Sequence, residues 1–362
     1  DPADTGLKVS IPVGDRLFDS RVFSHGKGVF FVECDEFFDR PDIYGTPEGD
    51  YADNASRFIF FCRAVLELCK ALNFRPDVVH CNDWQTGLVP LYLRTFNGKE
   101  FFSRTAAVMT IHNIGYQGIF DAADFRLTGL GLDLFNPEGI EFYGKVNFLK
   151  AGITASDIIT TVSSTYAKEI LTGEYGYGLD GVLKKHSSRL YGVTNGIDTE
   201  EWNPLRDAYI PQTYGVKDLS GKAVCRRELI KECSLQLKDQ ASPIIAVVGR
   251  LSEQKGFDLL IDSADDIVSM GVNLVILGKG DEHFHALVAG LSERHKGRVY
   301  ARIGYDEAFA HRIYAGSDMF IMPSRYEPCG LSQLISMRYG TIPIARRTGG
   351  LADTITDYEP LN

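Results

Sequence analysis

The sequence predicts an α/β protein of two domains, each a parallel sheet covered by helices. Three observations predict it. Residues 243–345 alternate short apolar runs with segments of helical spacing, and a β-α-β-α series builds a parallel sheet with helices on both faces. The same alternation recurs, less regularly, between residues 29 and 193. At 362 residues the chain has room for two domains of roughly 100–200 residues each.

In the first half, Val29 to Val32 reads as a strand and Ala52 to Leu72 as a long helix. Asp77 to His80 is a strand, Trp84 to Phe96 a helix and Ala106 to Ile111 a strand. Phe142 to Ala155 has helical spacing, and Asp157 to Val162 is again a strand. Ser163, Ser164 and Thr165 offer cap oxygens to the next helix. Leu190 to Val193 closes this half with a short strand. The polar, irregular stretch from Asn195 to Gly215 is the expected border, giving domains 1–194 and 195–362.

In the second half, Pro243 to Gly249 is a strand, and Leu259, Leu260, Ala264 and Ile267 share one face of a helix over 257–270. Val272 to Leu277 is a strand, His283 to His295 a helix and Val299 to Ile303 a strand. Glu307 to Ala315 is a helix, Met319 to Met322 a strand, Leu331 to Tyr339 a helix and Ile342 to Ala345 a strand. Two such domains facing each other would hold a ligand between the carboxyl ends of their strands.

Composition narrows the function. Hydrophobic residues make up 44% and charged residues 24%, as in ordinary globular proteins. No apolar run approaches a membrane span, and the opening residues show neither the basic start nor the apolar core of a signal peptide. A net charge of −10 speaks against non-specific nucleic-acid binding, although a nucleotide needs only a local cationic clamp. The seven cysteines are odd in number and fit no zinc spacing. Core thiols in a reducing cytoplasm are the expectation.

The chemistry-bearing residues follow strand ends. After 243–249 come Arg250 and Lys255-Gly256, opening a helix. Cations beside a helix N-terminus suit a phosphate, and two solvated surface cations are the plain alternative. After 319–322 comes a loop with Glu327 and Gly330. There the N–H groups of Leu331 and Ser332 would form a second anion cradle, with Glu327 where a diphosphate-linked sugar would lie. An ordinary loop carboxylate beside a turn glycine accounts for the pattern equally well. Thr348, Gly349 and Gly350 follow the last strand, and Gly304-Tyr305 follows 299–303, where the tyrosine could cover a base or simply pack. In the first half, His112-Asn113 ends the strand 106–111. Asp83-Trp84 follows 77–80, and an acid beside an aromatic suits a sugar; Trp84 is equally credible as core. No dinucleotide, phosphate-loop or nucleophile-elbow glycine motif is present.

At these loops the chain resembles bacterial glycogen synthases and plant starch synthases. The similarity rests on six segments in the family's order, covering nearly the whole chain: 80–87, 111–118, 193–198, 249–256, 323–333 and 346–353. It implies a GT-B fold, two facing Rossmann-like domains with parallel sheets and an interdomain cleft. It also implies retaining transfer of glucose from ADP-glucose to an α-1,4-glucan such as glycogen, with no metal or other cofactor, in the cytoplasm (or a plastid, in a plant or alga). Homo-oligomerisation is left open. Carried over by motif, Arg250 and Lys255 would hold the diphosphate, Glu327 the transferred glucose, and Leu331 and Ser332 the phosphate. Tyr305 would lie by the adenine, His112 would face the reacting sugar, Asp83 would bind its hydroxyls and Asn195 would line the cleft. Tyr44 matches a substrate-contacting tyrosine more loosely.

The family's Lys-x-Gly-Gly-Leu loop is absent, while Ile335 stands at the second acid of the broader GT-B Glu-x7-Glu pattern, as the resemblance to the synthases, which do not keep that Glu, implies. The expectation is a synthase truncated at both ends, with a first domain lacking its first strand and helix and a second incomplete at its C-terminus. Poor activity and aggregation follow from that expectation. Two alternatives stand beside it, another GT-B glucosyltransferase using UDP-glucose and a non-catalytic glucan-binding relative. The loop cations are expected to add little to stability.

Overall fold

A computed structural model of the chain describes residues 2–46, 48–96 and 101–359. The chain divides into two compact units. One runs to Thr161 and includes Ala167–Gly192; the other holds Val162–Tyr166 and the residues from Val193 onward.

The first unit contains a parallel sheet of four strands. Its members are β4 (Val78–Asn82), β5 (Ala106–Ile111), β6 (Ile158–Thr161) and β7 (Leu190–Gly192), in spatial order β7-β6-β5-β4. A separate antiparallel sheet joins β1 (Ala3–Val13), β2 (Arg16–His25) and β3 (Val29–Val32); only β3 is among the strands expected from the sequence. Val9, Ile11 and Val13 are buried and Ser10 and Pro12 are not, the alternation of a strand with one covered face. Pro12 is tolerated because β1 is an edge strand. Helix α1 (Asn54–Ala71) packs on this sheet, burying Phe58, Ile59 and Phe60.

Two predicted helices change here. Trp84 to Phe96 is a 3₁₀ turn at Trp84–Thr86 followed by α2 (Leu88–Thr95). Phe142 to Ala155 contains a hairpin first, because Tyr143 and Gly144 turn at φ 50° and 77° between short strands Glu141–Phe142 and Lys145–Asn147. Helix α3 (Phe148–Ala155) begins only at the Asn147 cap, whose side chain accepts the Lys150 N–H at 2.8 Å.

The second unit is a five-stranded parallel sheet. Its strands are β8 (Ile244–Leu251), β9 (Asn273–Gly280), β10 (Val299–Ile303), β11 (Met319–Met322) and β12 (Ile342–Ala345), ordered β10-β9-β8-β11-β12. Strand side chains alternate between two cores. Ile244, Ala246, Val275, Leu277 and Phe320 face α4 (Ser220–Glu232) and α7 (Glu307–Gly316), while Ile245, Val247, Leu274 and Ile276 face α5 (Phe257–Asp262) and α6 (Glu282–Arg294). Helix α4 carries no apolar stripe that would announce it, because charged residues interrupt its sequence and only Gly221, Cys225 and Leu229 are buried. The predicted helix over 257–270 divides at Ser263 into α5 and a second short helix, Ala264–Ser269. The strand order reverses direction between β8 and β11, the place where open α/β sheets expose their strand-end loops to ligands. No helix among the described residues is long and apolar enough to cross a membrane.

Candidate active site

The loops after β8 and β11 are welded together. Gly256 adopts φ 71°, and a Cβ there would sit 2.2 Å from the Pro323 carbonyl oxygen, so only glycine lets the chains approach this closely. The approach brings Lys255 Nζ to 2.5 Å from Glu327 Oε2. The Glu327 side chain is only 6% exposed against 30% for Lys255, so the lysine bridges a nearly buried carboxylate to solvent. Ser324, also buried, donates its hydroxyl to the same oxygen at 3.1 Å. Sequence reasoning does not single out Ser324; its place three residues before Glu327 is the available signal. Arg325 on the same loop pairs with Asp258 of α5. Arg250 lies exposed at the end of β8.

The third loop locks the second. Gly349 has φ 43° and a Cβ on it would fall 1.9 Å from the Glu327 carbonyl oxygen; one on Gly350 would fall 2.1 Å from that of Cys329. Gly350 donates its N–H to the Glu327 carbonyl at 3.0 Å. Thr348, buried, stands at the start of α9 (Gly349–Thr354). Residues 348–350 therefore shape the backbone that carries Glu327. Gly330 turns at φ 72° before α8 (Ser332–Arg338), with Leu331 exposed and Ser332 opening the helix. Gln333, fully buried, donates to the Cys329 and Gly330 carbonyls and holds that turn. Gly304 has φ 146° and leaves Tyr305 86% exposed, an open aromatic face at the end of β10. Asn195 lines an open depression of about 670 Å³ with Ile197, Leu334 and Arg338.

In the first unit, Asp83 and His112 meet at adjacent strand ends. Asp83 Oδ1 accepts the His112 backbone N–H at 2.7 Å, and His112 Nε2 lies 2.9 Å from Asn82 Oδ1. Asn82 is not among the residues singled out by sequence, though it neighbours Asp83. Burial pushes the Asp83 carboxyl above the usual carboxylate range, against the His112 and Asn113 amides, which favour the ionised form. Asp83 itself sits at φ 56°, held by a 2.9 Å hydrogen bond from its N–H to the Thr110 carbonyl. Asn113 accepts the Gly115 N–H and shapes the following turn. Trp84 is taken up by packing: it is 9% exposed, 4.5 Å from Phe58 and 5.8 Å from Phe120 between ring centroids. Tyr44, half-exposed, packs on Trp84 and accepts a 2.7 Å hydrogen bond from Gln85.

Residues 5–185 match the starch synthase catalytic domain family, and residues 234–361 match glycosyl transferases group 1. The chain is 49% identical over 352 residues to the glycogen synthase of Thermodesulfovibrio yellowstonii, covering 97% of this chain and 70% of that one. The chain belongs to the glycogen/starch synthase family of glycosyltransferases. The synthase is also 52% identical over 334 residues to glycogen synthase 2 of Geobacter metallireducens, covering 91% of this chain and 68% of that one. Among solved structures it superposes on the catalytic domain of starch synthase IV from Arabidopsis thaliana bound to ADP and acarbose. The TM-score is 0.91 at 35% identity, over 99% of this chain and 74% of that one. Its fold is accordingly GT-B. Sucrose-phosphate synthase from Thermosynechococcus elongatus shares the fold, with a TM-score of 0.57 at 19% identity, over 92% of this chain and 70% of that one.

Proposed function

We propose that the synthase transfers glucose, with retention of configuration, from ADP-glucose to the non-reducing end of an α-1,4-glucan, in the cytoplasm and without a metal or other cofactor in the chemistry. The observation that carries this reading is the Lys255–Glu327 pair, 2.5 Å apart on two glycine-locked strand-end loops. Supporting it, the starch synthase IV structure that this chain resembles is bound to ADP and acarbose.

As the anomeric C–O bond breaks, the sugar becomes oxocarbenium-like and negative charge grows on the departing diphosphate. Lys255 and Arg250 supply fixed positive charge where that charge appears, with the Leu331 and Ser332 amides beside them. Preorganised contacts of this kind usually account for more of the rate enhancement than any other effect. Glu327, held by Ser324 and by the backbone around Gly349 and Gly350, positions the transferred glucose. Asp83 and His112 take its hydroxyls, Tyr305 covers the adenine, and Asn195 and Tyr44 make further substrate contacts.

The test is incorporation of labelled glucose into glycogen by the full-length protein, offered ADP-glucose or UDP-glucose. Faster incorporation from ADP-glucose is expected. Equal or better use of UDP-glucose would overturn the donor assignment, and no incorporation from either would overturn the activity.

A further inference from the structure

On the α4 and α7 side of the second unit's sheet lies a polar cluster that the donor loops do not use. Asp207 and His311 are both 1% exposed, and His311 Nδ1 lies 2.7 Å from Asp207 Oδ2. Tyr339 donates its hydroxyl to the same oxygen at 2.5 Å, and the Tyr209 N–H donates to the other at 2.8 Å. Trp202 stacks flat on the imidazole at 4.0 Å and 13°. These contacts fix the ring completely. They leave Nε2 buried with no hydrogen-bond partner, and a buried orphan polar atom costs stability unless something meets it.

Two carboxylates stand by. Glu307 lies one helical turn before His311 on α7, and Glu201 comes from the loop ahead of Trp202. Donor atoms of Glu201, Glu307 and His311 all lie within 4.8 Å of one another. Among the described residues neither carboxylate has a cationic side-chain partner. With Nδ1 held by Asp207, the nitrogen left to a ligand is Nε2. A metal-bound histidine almost always places its other ring nitrogen on a carboxylate, which fixes the tautomer, and the Asp207–His311 pair has that form.

We propose that Glu201, Glu307 and His311 bind one divalent cation of the zinc class, with Asp207 as the carboxylate behind the histidine. Imidazole with carboxylates and water is a common donor set for zinc. The cation would pin the loop around Glu201 to the first turns of α7, just past the strand end that carries Tyr305. It stands apart from the transfer chemistry.

The test titrates zinc chloride into chelator-stripped protein by calorimetry, under a non-chelating phosphine reductant that keeps the cysteines reduced. The parent is compared with Glu201→Gln, Glu307→Gln and the double variant. The substituted residues are exposed, so all three should fold, and their melting without zinc checks this. One equivalent should bind the parent, with affinity falling at least about tenfold in each single variant, and zinc should raise the melting temperature of the parent but not of the double variant. No saturable binding to the parent would overturn the proposal, and so would equal affinity in the double variant, which would place the zinc elsewhere, on the cysteines for example.

Discussion

Lys255 does two jobs, and its removal separates them. From sequence alone it is a loop cation of little consequence to stability. The structure corrects this, because Lys255 is the charged partner of a carboxylate that is only 6% exposed. Lys255→Ala leaves Glu327 with the Ser324 hydroxyl alone, and stranding a partner in this way costs about 1–3 kcal/mol. Turnover should fall about 10²–10³-fold, as for one preorganised charge contact. Arg250, exposed on its strand end, should show the kinetic loss with little change in stability. Steady-state kinetics and melts on the same preparations decide it; two variants with equal melting temperatures would mean that the Lys255–Glu327 pair is not stabilising.

Asp83 makes a prediction of opposite sign. Its folded-state carboxyl is raised by burial, so the folded chain holds that proton more tightly than the unfolded one. Stability from this group is present at low pH and is lost as pH rises from the ordinary aspartate range through the raised value. Asp83→Asn keeps an acceptor for the His112 N–H and removes the desolvated charge. The variant should gain on the parent in melting temperature as pH rises toward neutrality, while kcat/KM falls. A loss that grows with pH would show that the amide hydrogen bonds outweigh burial. Lys255, Glu327, Asp83 and His112 are legible in the sequence because strand-end loops carry them. Ser324 and Asn82 are not, since a serine or asparagine reveals its partner only when the chain is folded.

At the scale of the element, strands that read as short apolar runs bounded by polar or turn residues are the most legible. Strands β5, β10, β11 and β12 fall on the predicted residues. The β1–β2 hairpin has a signal too, in the alternation through Val13 and the turn at Gly14 and Asp15, but Pro12 and the polar outer face obscure it. The start of α3 is illegible from apolar spacing, since the hairpin at Tyr143 and Gly144 shares that spacing. What joins the elements into a site is glycine. Gly256→Ala places a Cβ against the Pro323 carbonyl at positive φ, where the left-handed backbone alone costs roughly 1–2 kcal/mol. Gly290 in α6 has open space around it and ordinary φ, so Gly290→Ala should gain about 0.5–1 kcal/mol. Urea unfolding of the two variants should move in opposite directions, with activity lost only in the first. Equal and small shifts would remove the β8–β11 approach as a determinant of the site.

At the scale of the molecule, a chain of net charge −10 is asked to bind a diphosphate. Long-range attraction does not help it, so binding must come from local charge: Lys255, Arg250 and the amides ahead of α8. A ligand that binds only the folded state stabilises it by mass action, by about 2.7 kcal/mol at a hundredfold excess over Kd. ADP alone should therefore raise the melting temperature of this chain, progressively with concentration. The shift should collapse in Lys255→Ala, whose own lower baseline is read from the ligand-free melt. UDP presents the same diphosphate to the same cations with a different base, so it separates base recognition from charge. A smaller shift with UDP than with ADP at equal concentration is expected from stacking on the 86% exposed Tyr305 ring, and Tyr305→Ala should bring the two nucleotides together. Equal shifts in the parent would leave the diphosphate as the whole of the recognition and remove Tyr305 from the adenine site. An undiminished ADP shift in Lys255→Ala would remove the diphosphate from the loop after β8.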